Sequence, residues 1–564
     1  MVFVASVLSL RGASLVTQPL LDDASGSVLC WNGEAWKLDG EPIYVYDAGA
    51  VFKSLLAFAR TCPHGSGIGS EEYTAGILAL RTTLDAISGP YSFLFYDGLS
   101  QRVFCGRDPL GRRSLLIKST VPRGLVISSI SDGPSSEAWE EVEPDNLYVL
   151  DLARLLPVTK EVEQRVSFEN ALILPVKLAR MEIPTPHSSS EEPSPSNELQ
   201  KLIVHTNRRF RNINRDVPNP MSASIHPDSK AVTDLHQNLH KSLALRVGHI
   251  PRPPASQSTG PRLAVLFSGG VDCSVLARMI HDILPQDHAV DLLNVAFENP
   301  RVVAATNARS AEAEPGTTLS SSPHANCPDR ITGTSTFTEL LDACPGRLWR
   351  FVSIDITYSE VLAHRSQVVS LIHPHDTEMD LSIAYALYFA ARGRGYIHDP
   401  VTKDICAYTT PARVLVSGLG ADELFGGYTR HTVSFSRGGY QKLCDELQLD
   451  FNRLGKRNLG RDDRVISHWG REARYPYLDE DFVSWALELP VYEKCNFRQD
   501  EKKEENTKQP DVPLLEPNKH ILRLLAWKLG MKSAAGEKKR AIQFGARTAK
   551  MIAGRTQGTQ VISL

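Results

Sequence analysis

Two segments of this chain each join a short buried strand to a helix through a glycine-rich turn. The first is RLAVLFSGG at 262–270, followed at once by the helical pattern VDCSVLARMIHDIL. The second is VLVSGLGADELFGGYTRH at 414–431, with adjacent carboxylates, Asp422 and Glu423, where its helix is expected to begin. Strands that alternate with helices favour a parallel sheet covered by helices. Residues 261–564 are therefore predicted to form an α/β domain whose two glycine turns face one crevice at the carboxyl edge of the sheet.

Residues 1–155 follow a different pattern, in which short β-like runs are broken by turn residues. Several such runs at close spacing favour an antiparallel, sheet-rich domain. The runs are VLCWNGEAW at 28–36, PYSFLFYDG at 90–98, RVFCGRD at 102–108, RSLLIKS at 113–119 and GLVISSIS at 124–131. The apolar start MVFVASVLSL is expected to be a further strand, because it is too short to span a bilayer and lacks the basic segment of a signal peptide.

The stretch between these two domains, 156–260, is interpreted as a linker or insertion. Its segment PTPHSSSEEPSPSNE at 184–198 has almost nothing to bury and is expected to be disordered, although VTDLHQNLHKSLALRV at 232–247 has helical apolar spacing. Within the α/β domain, residues 301–326 and the charge run at 500–511 are expected to be solvated loops.

The charge balance and the cysteines exclude some classes of protein. The 62 basic residues face 65 acidic ones, a formal net charge of −3, so the chain has no overall electrostatic attraction for nucleic acid or an anionic membrane. Nine scattered cysteines without a C-x-x-C pair are typical of reduced thiols rather than of a disulfide scaffold or a zinc site. We therefore expect a cytoplasmic protein whose partners are small molecules.

The turn SGGVD at 268–272 has the features of a phosphate site. Its two glycines allow a tight turn that exposes backbone amides at a helix N terminus, where the helix dipole also favours an anion. The sequence contains no lysine-bearing G-x-x-x-x-G-K-[ST] loop. The alternatives are a plain strand-to-helix turn and, for Asp422 and Glu423, carboxylates that merely charge a helix N terminus.

These turns resemble known families. S-G-G-x-D-S is similar to the loop of the N-type ATP pyrophosphatases, also called PP-loop enzymes, and S-G-x-G-A-D-E-L-F-G-G-Y closely resembles the synthetase domain of glutamine-hydrolysing asparagine synthetases. TQP at 17–19, DRITG at 329–333 and RAIQFG at 540–545 are similar to a divergent group of that family. The resemblance implies catalytic roles for Asp272 and Asp422, which would hold Mg²⁺. It also implies an ATP and pyrophosphate site made of Leu266, Ser268, Gly269, Gly270, Val271, Asp272, Val295, Ser417 and Gly418.

Two further stretches resemble the same family. EKKRAIQFGARTAKM at 537–551 looks like its basic segment that closes over the phosphates, which implies that Lys539 and Arg540 neutralise charge on the pyrophosphate. An exposed basic helix is the alternative. NLGRDDRVISHWGREARYPYLDEDFV at 458–483 alternates Arg with Asp and Glu. We interpret its Arg and acidic residues as a partly buried ion-pair network that braces the site, with direct substrate contact as the alternative.

The first domain resembles the class II glutamine amidotransferases. WNGEAW at 31–36 is similar to their N-G-E-I-Y motif, and GRDPLGRRSLL at 106–116 to their R-D-x-x-G-x-R-S-L element. The resemblance implies an α+β sheet sandwich over residues 1–155. It also implies a glutamine site whose oxyanion hole and amino-acid contacts come from Asn32, Gly33, Arg11, Glu34 and Asp47. The charged and glycine residues of the second element, Arg107, Asp108, Gly111 and Arg112, are expected to be structural.

The chain departs from the family pattern at three places. The amidotransferases use an N-terminal cysteine, exposed when Met is removed, as their nucleophile, whereas residue 2 here is Val and the first cysteine is Cys30. The strands that normally precede this point in the amidotransferases are missing too, so we expect a truncated domain. Either the assigned start of the chain is too late, or the domain no longer hydrolyses glutamine. In the synthetase turns, Cys273 replaces a Ser and Leu419 replaces a Glu.

The resemblance implies one reaction. The side-chain carboxylate of aspartate attacks the α phosphate of MgATP to give β-aspartyl-AMP and pyrophosphate, and ammonia, from glutamine or from solution, then displaces AMP. Three other interpretations stay open. They are a non-catalytic nucleotide-binding scaffold or regulatory protein, an enzyme like β-lactam synthetase with the same architecture, and a tRNA-modifying PP-loop enzyme, which the lack of basic surfaces and paired cysteines disfavours.

Overall fold

The computed structural model forms two compact units. It describes residues 1–12, 16–44, 46–61, 70–120, 124–133, 139–144, 146–152, 174–177, 210–218, 225–251, 260–311, 322–398, 402, 404–497, 514–551 and 558–562. The first unit comprises Met1–Ile130, Ser135–Arg211 and Leu454–Gly460, and the second comprises Ser131–Pro134, Asn212–Arg453 and Arg461–Leu564. The segments 184–198 and 500–511, predicted to be disordered or looped, lie outside the described residues.

The first unit is built on antiparallel strands, as its short runs predict. They are β1 (Leu20–Asp22), β2 (Ser27–Gly33), β3 (Lys37–Leu38), β4 (Glu41–Pro42), β5 (Ile87–Ser88), β6 (Tyr91–Asp97), β7 (Arg102–Arg107), β8 (Leu116–Thr120), β9 (Gly124–Ser128), β10 (Trp139–Glu141), β11 (Asn146–Asp151) and β12 (Leu174–Lys177). Six of them form one sheet in the order β1-β2-β6-β7-β11-β12, and all its neighbours are antiparallel.

Two helices cover this sheet, α1 (Asp47–Thr61) and α2 (Glu71–Asp85). The core between them and the strands is apolar, with Phe95 from the sheet, Leu55 from α1 and Leu80 from α2 all fully buried. Alternating inward positions on the strands and one apolar stripe on each helix therefore meet, which is the packing that an α+β layer needs.

The prediction of a strand at the start of the chain is wrong. Residues 1–10, all of which the structure describes, form no strand, and Val2 and Val4 are 89% and 83% exposed. An apolar run becomes a strand only where a neighbouring strand pairs its backbone groups, and these residues belong to none of the described ladders.

The second unit alternates strands with helices. Its strands are β13 (Leu263–Leu266), β14 (Val290–Phe297), β15 (Trp349–Ile356), β16 (Arg394–His398), β17 (Ile405–Thr409), β18 (Val414–Val416) and β19 (Glu472–Arg474). Its helices are α3 (Lys230–Val247), α4 (Val271–Ile283), α5 (Pro300–Ala311), α6 (Pro328–Ala343), α7 (Tyr358–Ile372), α8 (Glu378–Arg392), α9 (Ala421–Phe425), α10 (Thr429–Arg457), α11 (Leu459–Ser467), α12 (Glu480–Glu488), α13 (Val491–Lys494), α14 (His520–Lys528), α15 (Lys532–Gly536) and α16 (Ile542–Gly545), with a 3₁₀ turn at Pro476–Leu478. Residues 454–460, at the end of α10 and the start of α11, belong to the first unit.

One seven-stranded sheet, in the order β17-β16-β15-β14-β13-β18-β19, forms the centre of this unit. The five strands from β15 to β19 in that order are parallel, as predicted. The expectation of a wholly parallel sheet is corrected at one edge, where β16 and β17 are antiparallel. Gly393, at φ 69°, ends α8 and leads the chain directly into β16, so no crossover helix separates them.

Two helices, α3 and α5, differ from the predicted linker and loop boundaries. Helix α3 forms where helical spacing predicted it and belongs to the second unit, although it lies within the stretch assigned to a linker. The prediction of a loop over 301–326 is wrong for its first part, because α5 continues to Ala311. Helix formers such as Ala and Arg outnumber the helix breakers in that part. In the described part of the chain, no helix combines the length and apolar character needed to cross a bilayer.

Candidate functional site

The predicted nucleotide residues of the second unit lie at one edge of its sheet. The strands β14, β13 and β18 are parallel neighbours, so their carboxyl ends face the same way. Leu266 ends β13, Ser417 directly follows β18, and Val295 lies two residues before the end of β14. Leu266 and Val295 are half-buried in strands that are otherwise almost fully buried. The structure therefore brings these residues together where ligands bind in open α/β sheets.

The first turn, Ser268–Val271, rests against helix α6. Gly269 has φ 83°, and a Cβ there would lie 2.6 Å from the backbone of both Thr332 and Gly333. The hydroxyl of Thr336 donates to the carbonyl of Gly269 at 2.9 Å. Only glycine fits this close approach. Gly270 then caps α4, which leaves the first amides of that helix at the sheet edge.

The thiol of Cys273 lies inside the turn. Its Sγ donates to the carbonyl of Gly270 at 3.2 Å and lies 3.7 Å from Oγ of Ser268. The side chain is buried, and burial raises the pKa of the Cys273 thiol. The replacement of Ser by Cys therefore keeps a donor within the turn and presents no thiolate.

The second turn contacts the first. A Cβ on Gly418 would lie 2.9 Å from Cβ of Asp272, so glycine is required where the two turns meet. Gly420, at φ 101°, precedes helix α9, whose first turn carries Asp422 and Glu423. From the other side, the hydroxyl of Tyr477 donates to the carbonyl of Asp272 at 3.1 Å. The two sequence signatures thus form one site.

Four charged side chains meet in this site. Lys519 Nζ lies 2.5 Å from Oδ2 of Asp272 and 2.7 Å from Oδ1 of Asp422. Lys539 Nζ contacts the other oxygen of Asp422, Oδ2. Asp272, Asp422 and Lys539 were predicted from the sequence, whereas Lys519 was not. Its segment, between a charged stretch and the apolar helix α14, has no spacing that distinguishes it from an ordinary helix start.

Charge and burial set the protonation states here. Burial alone would raise the pKa of Asp422, but the ammonium groups of Lys519 and Lys539 hold it well below its usual range. Burial opposes the charge of Lys539, yet the carboxylates of Asp422 and Asp272 raise its pKa above the usual value. Glu423 does not join this cluster. Its carboxylate accepts from the hydroxyl of Tyr428 at 2.6 Å, and burial raises its pKa.

Lys539 and Arg540 lie between α15 and α16 in a segment without helical structure, so the alternative of an exposed basic helix is wrong. Arg540 Nη1 donates to the hydroxyl of Thr332 at 3.0 Å, and its side chain remains 40% exposed. This segment therefore places one lysine on Asp422 and an arginine beside the first turn.

Arg523 holds the two lysine-bearing segments. Its guanidinium is buried and donates to the carbonyls of Asn518 at 2.9 Å, Ala535 at 2.7 Å and Glu537 at 2.7 Å. Asn518 precedes Lys519, and Glu537 is two residues before Lys539. A planar group with several fixed donors suits this bracing role.

The interpretation of 458–483 as a partly buried ion-pair network is confirmed, while its role in bracing the site stays a prediction. Arg461 pairs with Asp380 at 2.5 Å and with Asp462 at 2.8 Å, and all three belong to the second unit. Arg246 pairs with Asp479 at 2.9 Å, with 1% and 8% of the two side chains exposed.

The chemistry of a magnesium ion fits Asp272. Its Oδ1 is buried and has no hydrogen-bond partner, which leaves one hard oxygen free to bind a cation. Among the described residues, no group of three or more His, Cys, Asp or Glu is placed to hold a metal ion. Any such ion would therefore take further ligands from its substrate or from water, as Mg²⁺ commonly does.

In the first unit, three of the five residues predicted to bind glutamine meet around Ala35. Arg11 Nη1 donates to the carbonyl of Ala35 at 2.6 Å, and Arg11 Nε lies 3.3 Å from Oε2 of Glu34. The amide of Ala35 donates to Oδ2 of Asp47 at 2.6 Å. Burial raises the pKa of Asp47, which Arg11 partly opposes.

The other two, Asn32 and Gly33, end strand β2, where Asn32 is exposed. The second element of this unit is structural, as expected: the buried Arg112 and Asp108 pair at 2.9 Å, and Arg107 Nε donates to the carbonyl of Arg113 at 2.6 Å. The binding and catalytic roles of all these residues remain predictions.

Known proteins of similar sequence support the resemblance to the asparagine synthetases. A family model described as asparagine synthase matches residues 436–529. Human asparagine synthetase domain-containing protein 1 is 31% identical over 606 residues, covering 97% of this chain and 88% of that protein. Asparagine synthetase domain-containing protein YML096W of Saccharomyces cerevisiae is 31% identical over 488 residues, covering 85% of this chain and 74% of that protein.

A solved structure of glutamine phosphoribosylpyrophosphate amidotransferase from B. subtilis matches 53% of each chain at 15% identity and a TM-score of 0.15, too low to support an argument. The two curated relatives align with most of the chain, and the family resemblance predicted from the turns is confirmed. The chain therefore belongs to the family of asparagine synthetase domain-containing proteins.

Proposed function

We propose that this protein cleaves MgATP between the α and β phosphates and transfers AMP to the side-chain carboxylate of aspartate, on the way to asparagine. One observation supports this most: Asp272, Asp422 and two lysines meet where two glycine turns end parallel strands. Amides at a helix N terminus favour phosphate, and ammonium groups favour a developing pyrophosphate charge. The proposal is therefore pyrophosphate release rather than transfer of the γ phosphate.

We assign each residue a role from its position in the site. The amides of Ser268, Gly269 and Gly270 would hold the leaving pyrophosphate, and Lys539 and Arg540 would neutralise its charge. Leu266, Val295, Ser417 and Gly418 would border adenosine and ribose. Mg²⁺, bound through Asp272, would supply charge neutralisation of the phosphate oxygens.

The nitrogen donor that we propose is ammonia, supplied either by hydrolysis of glutamine or from solution. Arg11, Glu34 and Asp47, which the family resemblance implies in binding the ends of glutamine, would serve the glutamine-dependent route. Glutamine hydrolysis of this class requires a thiol next to a base. The reaction would use soluble substrates, and a cytoplasmic location is part of the proposal.

A second candidate is a nucleotide-binding scaffold without catalysis. Leu419 favours it, because this half-buried apolar side chain stands in the second turn where the family carries a Glu. An apolar residue cannot orient an adenylate by hydrogen bonds. The scaffold would bind MgATP and leave it intact.

Exchange of labelled pyrophosphate into ATP separates the two candidates. Aspartate-dependent exchange in the native chain, lost at least a hundredfold in Asp272→Asn, is the expected result. Asp282→Asn is the matched control, since Asp282 lies on the same helix and pairs with Arg278 at the surface. Binding of ATP without exchange would support the scaffold instead.

A further inference from the structure

Lys519 occupies a position between the two carboxylates that the sequence predicted to share a metal ion. Its side chain is 1% exposed, and its Nζ is within 2.7 Å of an oxygen of each carboxylate. The ammonium group therefore supplies positive charge at the point where a second metal ion would supply it. Because it is covalently attached, its effective concentration at this point does not depend on ions in solution.

The backbone is built to keep Lys519 there. Its amide donates to the carbonyl of Phe425 at 3.0 Å, and its own carbonyl accepts from the amide of Arg523 at 3.0 Å. Lys519 has φ 51°, an unusual left-handed conformation for a residue other than glycine. A Cβ on Gly427 would overlap both Lys519 Cε and Asp422 Oδ1, so glycine is needed beside this ion pair. Such strain persists only where the surroundings impose it.

Of the four carboxylate oxygens of Asp272 and Asp422, one has no contact with an ammonium group. Asp422 contacts an ammonium group with each of its two oxygens, Lys519 through Oδ1 and Lys539 through Oδ2. Asp272 contacts Lys519 with Oδ2 only, and its Oδ1 is buried without a partner. Two carboxylates thus face two ammonium groups, and one oxygen remains for a divalent ion.

We propose that Lys519 takes the place of a second metal ion, so that a nucleoside triphosphate meets one divalent cation on Asp272 and two ammonium groups anchored by Asp422. This inference rests on the proposed function. It changes the role of Asp422 from a metal ligand to an anchor for Lys519 and Lys539. Lys519 acts through its position and charge, and it neutralises phosphate oxygens without a metal at that point.

Counting bound Mn²⁺ tests this inference directly. The full chain is mixed with α,β-methylene-ATP, which cannot be cleaved between the α and β phosphates, and the loss of the free Mn²⁺ signal is followed by electron paramagnetic resonance. The native chain is expected to bind one Mn²⁺ per bound nucleotide. Lys519→Met, which releases an oxygen of each carboxylate, is expected to bind two. Lys528→Met, at the end of the helix that follows Lys519 and paired with Asp228 at the surface, is the control and should bind one.

The outcomes separate this inference from the proposed function. Two ions on the native chain, with the analogue bound, would overturn the inference and leave the proposed function intact. Failure of the native chain to bind the analogue at all would overturn both. If Lys519→Met does not fold, the count on the native chain alone still decides, and an unchanged count in a folded Lys519→Met would also contradict the inference.

Discussion

Burial disfavours the ionised form of the Asp329 carboxyl group. It is buried at the start of α6 against Gly545, and burial raises its pKa to about 7, although Arg540 and Lys539 partly oppose the shift. The usual pKa of Asp in an unfolded chain is about 3.9. Above pH 7 the folded state therefore carries an ionised group at a cost that the unfolded state does not have.

This cost predicts a pH-dependent effect of Asp329→Asn. As the pH falls from 7 towards 4, the folded carboxyl takes up a proton that the unfolded one does not, so the cost disappears. Asp329→Asn should raise the free energy of unfolding at pH 7.5 by on the order of 2–4 kcal/mol and by little near pH 4. Urea unfolding at both pH values measures this, with the exposed Asp342→Asn on the same helix as control. An equal difference at both pH values would contradict the assignment.

Cys273 should tolerate the return of the family's serine. The buried thiol donates to the carbonyl of Gly270 within the turn, and a hydroxyl can make the same contact. Cys273→Ser should therefore change the free energy of unfolding by less than about 1 kcal/mol and the affinity for pyrophosphate by less than about threefold. Urea unfolding and calorimetric titration with magnesium pyrophosphate measure the two. A tenfold gain in affinity would mean that residue 273 faces the phosphates.

At the scale of elements, the site depends on two turns that touch. Gly418 lies so close to Asp272 that an added Cβ would come within 2.9 Å of the Asp272 Cβ. Neither partner can move freely, because Asp272 belongs to α4 and Gly418 follows the buried strand β18. A single methyl group here should push the two signatures apart.

Gly418→Ala is therefore expected to weaken binding of α,β-methylene-ATP at least tenfold and to lower the free energy of unfolding by about 1–3 kcal/mol. Gly536→Ala, at the end of α15, is the matched control, since its added Cβ would meet nothing within 4 Å. Calorimetric titration and urea unfolding check both variants. Native affinity in Gly418→Ala would show that the contact between the turns is not needed.

The sequence predicted the elements that have a strong local signal and missed those that depend on distant contacts. The β13 turn and the β18 turn were predicted because buried strands, glycines and helix starts follow one another in the chain. The strand β16 and the bridging Lys519 were not, since β16 is fixed by pairing with β15 and Lys519 by two carboxylates far away in sequence. Conversely, the apolar start of the chain has strand-like composition but belongs to none of the described β ladders.

At the scale of the whole molecule, the first unit carries the residues that the family resemblance implies in the use of glutamine. Cys30 lies within strand β2, and burial raises the pKa of its thiol. A nucleophilic cysteine needs the opposite shift, because the thiolate is the reactive form.

We therefore expect that Cys30 is not a nucleophile, so that Cys30→Ala and the native chain form glutamate from glutamine at the same rate and both form asparagine from ammonium. Amino-acid analysis of reactions supplied with either donor measures this. Glutamate formation that Cys30→Ala abolishes would show that Cys30 is the nucleophile.

We propose above all that this protein cleaves ATP between its α and β phosphates. The direct measurement is the product balance of the native chain with MgATP, aspartate and ammonium, with Asp272→Ala as the blank. AMP, pyrophosphate and asparagine are expected in equal amounts, and all three should be absent from the blank. ADP and inorganic phosphate as the products, or no AMP above the blank, would contradict it.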